Sequence, residues 1–155
     1  MNSCEIKELV QHISAHELSL AKMYNQFARA YPNHKEFWSK LAHEEMIHSK
    51  WIKSLENHFD AGQIGLSGFK LNHRALKTSI SHLEKQILAT KNGNLSLLNA
   101  VAVAVDIEKS MIDNKFFAIF DLKDKKFNRI RTGLEKETKM HRQKLEKLFL
   151  KLKEN

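Results

Sequence analysis

Apolar residues recur at alternating intervals of three and four positions along most of the chain, which is the spacing of one buried face of an α-helix. Tyr31-Pro32-Asn33 interrupts the first stripe, so a helix is predicted over residues 3–31. Asn33 is placed to cap a second helix over residues 34–59, with Glu36 three residues later in the arrangement of a capping box. The first stripe consists of Ile6, Leu9, Val10, Ile13, Leu20, Tyr24, Phe27 and Ala28.

Three more helices are predicted, over residues 72–91, 96–120 and 126–153. A glycine-containing loop over residues 60–70 precedes the first of them, and a short turn over residues 121–125 precedes the last. The helix over residues 72–91 falls within the long connection between the second and third main helices. The pattern predicts one all-α domain over residues 1–155, an up-down four-helix bundle with one long crossover that carries a short helix.

Composition supports helices and narrows the classes of function. With 5 Gly and 1 Pro in 155 residues, the chain lacks the turn residues of a β-sheet protein. One cysteine, Cys4, excludes a disulfide framework and a CxxC motif. The net charge of +8 comes from lysines spread over every helix, so we expect solvated helix faces and no nucleic-acid partner. The sequence has no long apolar run and no signal-peptide pattern in MNSCEIKELV, so we expect a cytoplasmic protein without a membrane partner.

Ionisable residues interrupt the apolar stripe of each main helix near its midpoint. Burial of an unpaired carboxylate costs several kcal/mol, so packing alone does not explain several of them in one core. Carboxylate oxygens and imidazole nitrogens together suit iron or manganese, and such an ion resolves the conflict. A single buried histidine is also explained by a hydrogen bond within the core. The interrupting residues are Glu17 in the first helix, Glu45 and His48 in the second, Glu108 in the third and His141 in the fourth.

Several of these residues resemble rubrerythrin. The resemblance rests on Glu17 with Tyr24 seven residues later, on the run from Phe37-Trp38 to Leu41-Ala42-His43-Glu44-Glu45-Met46-Ile47-His48, and on Glu108 in a helix rich in alanine and valine. It covers nearly the whole chain in helix order and implies a ferritin-like fold of the di-iron carboxylate superfamily. In that family two helices each offer Glu-x-x-His and the other two each offer a Glu. The resemblance therefore implies the metal ligands Glu17, Glu45, His48, Glu108 and His141.

The fourth helix departs from the family pattern. Aligning residues 134–141 with residues 41–48 puts Thr138 opposite Glu45, where a bridging carboxylate is expected. Glu137 is the alternative ligand, but the seven-residue phase of the helix favours Thr138 as the inward residue. Three outcomes stay open: a di-metal site completed by Glu137 or water, a site for one metal ion, or an ancestral site that no longer binds metal.

The resemblance implies a non-haem iron oxidoreductase that reduces peroxide or reacts with oxygen. Iron is the expected cofactor, with manganese or zinc as alternatives. Tyr24 is the candidate catalytic residue, because it lies two turns from Glu17 on the same face and can hydrogen-bond a ligand carboxylate; a core tyrosine with a satisfied hydroxyl is an equal alternative. The family often receives electrons through a rubredoxin-like domain with CxxC pairs, which this sequence lacks. We therefore expect a separate electron-donor protein.

Two other classes of function stay open: iron binding or storage without turnover, and a metal-free ferritin-like interaction module. A homodimer is expected, because the apolar residues Val103, Phe116 and Phe120 exceed what one bundle buries. Most of the remaining histidines are expected on exposed faces, with His16 and His43 beside the candidate ligands. These remaining histidines are His12, His16, His34, His43, His58, His73 and His82.

Overall fold

The structure is a computed structural model that describes residues 3–56, 73–114, 116–117 and 125–155. These residues contain α-helices, one 3-10 helix and no strand, which confirms the all-α prediction. The predicted loop over residues 60–70 lies outside the described residues, as do His58 and Phe120. The helices are α1 (Ser3–Ala30), α2 (Lys35–Ser54), α3 (His73–Lys91), α4 (Leu97–Asp113) and α5 (Lys125–Lys153), with the 3-10 helix at Pro32–His34.

The connection between α1 and α2 differs from the predicted capping box. His34, and not Asn33, occupies the position before α2, and it makes no capping hydrogen bond with its side chain. The chain reverses through a 3-10 turn, in which the His34 N–H donates to the Tyr31 carbonyl at 2.9 Å. Pro32 begins this turn, where its missing N–H has no partner to lose. Backbone hydrogen bonds thus replace the side-chain cap that the sequence suggested.

The connection between α3 and α4 follows its sequence signals more closely. Gly93 has a φ of 72°, the left-handed conformation that ends a helix and that glycine adopts without strain. Ser96 accepts a hydrogen bond from the Asn99 N–H at 3.2 Å and so caps α4. α4 ends at Asp113, before the predicted end at residue 120, and α2 ends at Ser54, before the predicted end at residue 59.

The helix predicted as a short part of the crossover is a full-length element of the fold. α3 has 19 residues, against 17 in α4. It packs along α1 and runs parallel to it. α2 and α4 run antiparallel to α1. α5 runs antiparallel to α2. The contacts that establish these directions are Gln11–Glu56 and Ser14–Ser49 for α2, His12–His73 and Tyr31–Leu95 for α3, Tyr24–Glu108 and His16–Phe116 for α4, and His48–Glu137 and Glu44–His141 for α5.

The core between the helices holds an aromatic group beside a polar layer. Tyr24, Phe27 and Trp38 are fully buried, and the rings of Phe27 and Trp38 meet edge to face with centroids 4.9 Å apart. Burial of each such ring contributes roughly 2–3 kcal/mol to stability. Phe116, expected on a dimer surface, is only 4% exposed in the single chain, so it does not support that expectation. Among the described residues, no helix is long and apolar enough to cross a membrane.

Candidate metal centre

The residues that interrupt the apolar stripes converge in one layer of the core. They come from four helices, because each helix places its ionisable residue on the inward side near mid-length. Their exposed fractions are 0% for Glu17, Glu45, His48 and Glu108 and 1% for His141. Removing carboxylates from water in this way is costly without compensating charge. The burial of these carboxylates therefore requires a source of positive charge or of protons in the layer.

Glu45 lies at the centre of the layer and contacts both histidines. Its Oε2 atom is 3.0 Å from His48 Nδ1, and its Oε1 atom is 2.7 Å from His141 Nδ1. Two groups of potential ligands follow, each with its ligand atoms within 4.8 Å of one another: Glu17, Glu45 and His48, and Glu45, Glu108 and His141. Glu45 belongs to both groups, so one carboxylate is shared between the two sets of potential ligands.

A second pair of carboxylates contacts the outer side of the histidines. Glu44 Oε2 lies 2.6 Å from His141 Nε2, and Glu137 Oε2 is within hydrogen-bonding distance of His48 Nε2. An Nε2–H that donates to a carboxylate leaves Nδ1 free to face the centre. This arrangement is typical of metal-binding histidines, whose second nitrogen donates to a carboxylate or carbonyl that orients the ring. Glu137 thus contacts a histidine of the opposite helix.

Some polar atoms in the layer have no partner in the protein. Neither carboxylate oxygen of Glu17 has a hydrogen-bond partner among the described residues, and neither has Glu108 Oε2. The other oxygen of Glu108 accepts a hydrogen bond from the Tyr24 hydroxyl at 2.7 Å. Unpartnered buried carboxylate oxygens are rare in folded proteins. Glu17 Oε2 lies 4.0 Å from His48 Nδ1, and carboxylate oxygens together with imidazole nitrogens suit a cation such as iron or manganese.

The protonation of the metal-free layer reflects this crowding of charge. Burial, followed by the charges of Glu45 and Glu108, raises the pKa of Glu17 well above its usual value. Burial and the charge of Glu45 raise the pKa of Glu108 to about 7. Burial would lower the pKa of His141, but its contacts with Glu108 and Glu45 outweigh this effect and raise the pKa to about 11. Without a cation, protons supply the positive charge that the layer needs.

Glu45 itself is the anion of the metal-free layer. Burial would raise its pKa, but its proximity to Glu17, His141 and His48 outweighs burial and holds the pKa well below its usual value. The layer can therefore be satisfied in two ways, by a proton on each histidine around an ionised Glu45 or by cations among ionised carboxylates.

Thr138 occupies the place opposite Glu45 on α5. Its side chain is fully buried, which confirms the prediction that it faces inward, and its hydroxyl has no hydrogen-bond partner among the described residues. A hydroxyl is a poorer ligand for iron than a carboxylate. The layer thus has a carboxylate at this inner position of α2 and a hydroxyl at the corresponding position of α5.

Sequence reasoning missed two features of this centre. Glu44 was overlooked, although the alignment of residues 41–48 with 134–141 makes it the counterpart of Glu137, and that correspondence was the available signal. His16 was expected on an exposed face, but it is fully buried. The reason is α3, which covers that side of α1 and brings Ser79 Oγ within 2.7 Å of His16 Nε2. His43, the other histidine expected beside the ligands, is exposed.

No model of a protein family, no curated protein and no solved structure matches this chain. Membership of the rubrerythrin family therefore stays a hypothesis that rests on the residues quoted from the sequence. What the structure defines is a helical protein with buried carboxylate and histidine groups that could hold a metal ion.

Proposed function

We propose that this protein is a non-haem iron protein, similar to rubrerythrin, that reacts with peroxide or oxygen at the buried layer. The observation behind the proposal is the pair of fully buried ligand groups that share Glu45. Carboxylates and histidines from four helices in one layer form the ligand set of di-iron carboxylate bundles. The bound iron would supply the electrons for reduction of peroxide or oxygen.

Each residue of the layer has a role that follows from its contacts. Glu45 would belong to both sets of ligands, with Glu17 in one set and Glu108 in the other. His48 and His141 would bind through Nδ1 while Glu137 and Glu44 accept their Nε2 protons. These outer carboxylates hold the imidazole rings in one orientation and increase their basicity.

Tyr24 would position Glu108 and supply a hydrogen-bond donor at the edge of the layer. Its hydroxyl donates to Glu108, and burial, with the charges of Glu108 and Glu45, raises the pKa of Tyr24 well above its usual value. The hydroxyl therefore keeps its proton at neutral pH. The buried rings of Tyr24, Phe27 and Trp38 exclude water from this side of the centre.

Electrons for repeated turnover would come from a separate protein. Reduction of peroxide to water consumes electrons as well as protons, and Cys4, the single cysteine in the sequence, is exposed and free. A CxxC-bound iron within this sequence is therefore not the donor. We propose a soluble redox protein as the donor, without which the iron would react once per reduction.

A metal-free interaction module is the second candidate, favoured by Thr138 and by the ion pairs that Glu45 makes with both histidines. Those ion pairs neutralise much of the layer without a cation. Such a protein would retain its fold after exhaustive chelation and would bind iron only at the surface. Iron storage, the third candidate, requires a closed multi-subunit shell, which size measurement in solution reveals.

The test is anaerobic loading with ferrous iron, followed by metal quantification and addition of peroxide. We expect about two ions per chain, as in di-iron carboxylate bundles, and an absorption band in the near ultraviolet when peroxide oxidises the iron. A matched control is Glu36→Gln, which changes an exposed carboxylate on the same helix as Glu45. Substoichiometric iron in both proteins, with no spectral change on peroxide addition, would overturn the proposal.

A further inference from the structure

A second group of potential metal ligands lies where α3 meets the first half of α1. It consists of Glu8 and His12 on α1 and His73, the first residue of α3. The carboxylate of Glu8 is exposed and both histidines are half-buried. Glu8 precedes Glu17 by nine residues on one helix, so this group lies roughly 13 Å along the axis from the buried layer.

The two imidazole rings of this group approach one another through the same kind of nitrogen. The Nδ1 atoms of His12 and His73 are 3.1 Å apart, and the rings are nearly perpendicular, with an angle of 84° and centroids 5.2 Å apart. A zinc ion with two nitrogen ligands at its usual bond length and a tetrahedral angle separates them by about 3.3 Å. The observed distance between the Nδ1 atoms is therefore close to that of two histidine nitrogens bound to one ion.

Glu8 is placed to complete the set. It precedes His12 by four residues on α1, so both side chains lie on one face of the helix. One oxygen or nitrogen atom from each of Glu8, His12 and His73 lies within 4.8 Å of the other two. Two imidazoles and a carboxylate with one open position are a common zinc ligand set.

We propose that Glu8, His12 and His73 bind one divalent cation of the zinc type, with water in the remaining position. Nitrogen and oxygen donors of this kind also accept cobalt, nickel and copper, whereas calcium and magnesium prefer sites built from oxygen alone. The site differs from the buried layer in being half-exposed and in lacking a shared carboxylate. The ion would join the first turn of α3 to α1. The proposal is independent of the function proposed for the buried layer.

The alternative to a metal is a hydrogen bond between neutral imidazoles, in which one Nδ1–H donates to the other Nδ1. The two differ in their response to zinc. If the imidazoles only share a hydrogen bond, the stability of the folded protein does not depend on added zinc at this place. If they form a metal site, zinc binds there and stabilises the folded state by mass action.

The test is a zinc titration of the metal-free chain at pH 8, with the bound ions counted after gel filtration. Wild type is compared with His73→Ala and with the control His82→Ala, which removes an exposed histidine from the same helix. We expect His73→Ala to bind one zinc ion fewer per chain than wild type and than the control. Zinc should also raise the unfolding temperature less in His73→Ala than in wild type and in His82→Ala.

A second variant guards against a folding defect in His73→Ala. Glu8→Gln keeps both imidazoles and changes only an exposed side chain, so it should fold normally and bind zinc at this site at least about 10-fold more weakly. Cobalt provides an independent signal, because its visible absorption reports nitrogen and oxygen ligation. Equal zinc stoichiometry and affinity in wild type, His73→Ala and Glu8→Gln would overturn the proposal and leave the imidazole contact as a hydrogen bond.

Discussion

α2 and α5 each place a glutamate and a histidine at the buried layer, but the two helices differ at one inner position. On α2 the sequence is Glu44-Glu45 followed by His48, and on α5 it is Glu137-Thr138 followed by His141. The outer glutamates cross over, so that each contacts the histidine of the other helix. The inner positions are both fully buried, yet one is a carboxylate and the other a hydroxyl.

The comparison shows that orientation of the histidines and provision of charge are separate tasks in this layer. Both histidines keep a carboxylate on Nε2, so the rings are oriented equally on the two sides. At the inner position only α2 supplies a charge, because the Thr138 hydroxyl does not ionise. The Glu137 carboxylate contacts His48 Nε2, and its side chain is 38% exposed, whereas Thr138 beside it is fully buried.

Removal of the bridging carboxylate on α2 should have the largest effect. Glu45→Gln takes a ligand from both groups, and we expect iron binding to weaken by more than the roughly 10–100-fold that loss of an outer partner costs. The measurement is iron affinity by competition with a chelator. Glu36→Gln is the control and should bind iron as wild type does. If Glu45→Gln also retained the wild-type affinity, Glu45 would not be a ligand.

Restoration of a carboxylate on α5 should have the opposite effect. Thr138→Glu places an acid opposite Glu45 and supplies the second bridge of a symmetric site, so the more weakly held ion should bind on the order of 10–100-fold more tightly. Metal quantification at limiting iron tests this, with circular dichroism to show that the larger side chain fits. Two tightly bound ions per chain both before and after the substitution would mean that Thr138 is no impairment.

The outer glutamates should give intermediate and equal effects. Glu44→Gln and Glu137→Gln each leave an imidazole oriented by an amide in place of a carboxylate, and we expect about a 10-fold loss of iron affinity in each. Affinities of both variants are measured beside wild type. A much larger loss for Glu137→Gln than for Glu44→Gln would identify Glu137 as a direct ligand and end the symmetry of the comparison.

The last expected effect is the pH dependence of the stability of the chelator-treated protein. Folding raises the pKa of the Glu108 carboxyl from 4.5 to about 7. The folded state therefore loses stability as the pH rises from the pKa of the unfolded state to that of the folded state. The raised pKa of His141, about 11, acts with the same sign, because its stabilisation is complete below 6.5 and is lost as pH rises toward the folded value. We expect the chelator-treated protein to lose on the order of 3 kcal/mol of stability between about pH 5 and pH 8.

Denaturant unfolding in the presence of a chelator measures this effect, and Glu108→Gln is the control that removes one titrating group. Saturation with iron should reduce the loss or reverse it, because the cation replaces the protons. Stability of the chelated protein that rises steadily over this pH range would contradict the protonation described for the metal-free layer.

The ligand candidates were predictable because each lay in the apolar stripe of a long helix. Glu17, Glu45, His48, Glu108 and His141 were all predicted to be buried, and all are. Helical periodicity alone was sufficient, since the inward face of one helix is set by its own sequence. The same reasoning identified Thr138 as inward.

Contacts between helices could not be predicted in this way. His16 was assigned to an exposed face because the packing of α3 against α1 is not visible in the sequence of α1. The cross-helix partners of the histidines, Glu44 and Glu137, depend on the distance and rotation between α2 and α5. The proximity of His12 to His73 depends in the same way on where α3 begins.

The sequence by itself determined the helices, their buried faces and the ionisable side chains in the core, because these follow from local periodicity and from the chemistry of each side chain. Only the tertiary structure decided which atoms meet. It placed Glu45 between the two histidines, gave each histidine an outer carboxylate from the opposite helix, and brought α3 against α1. The physical reason is that these contacts depend on how whole helices pack, which no single stripe of residues specifies.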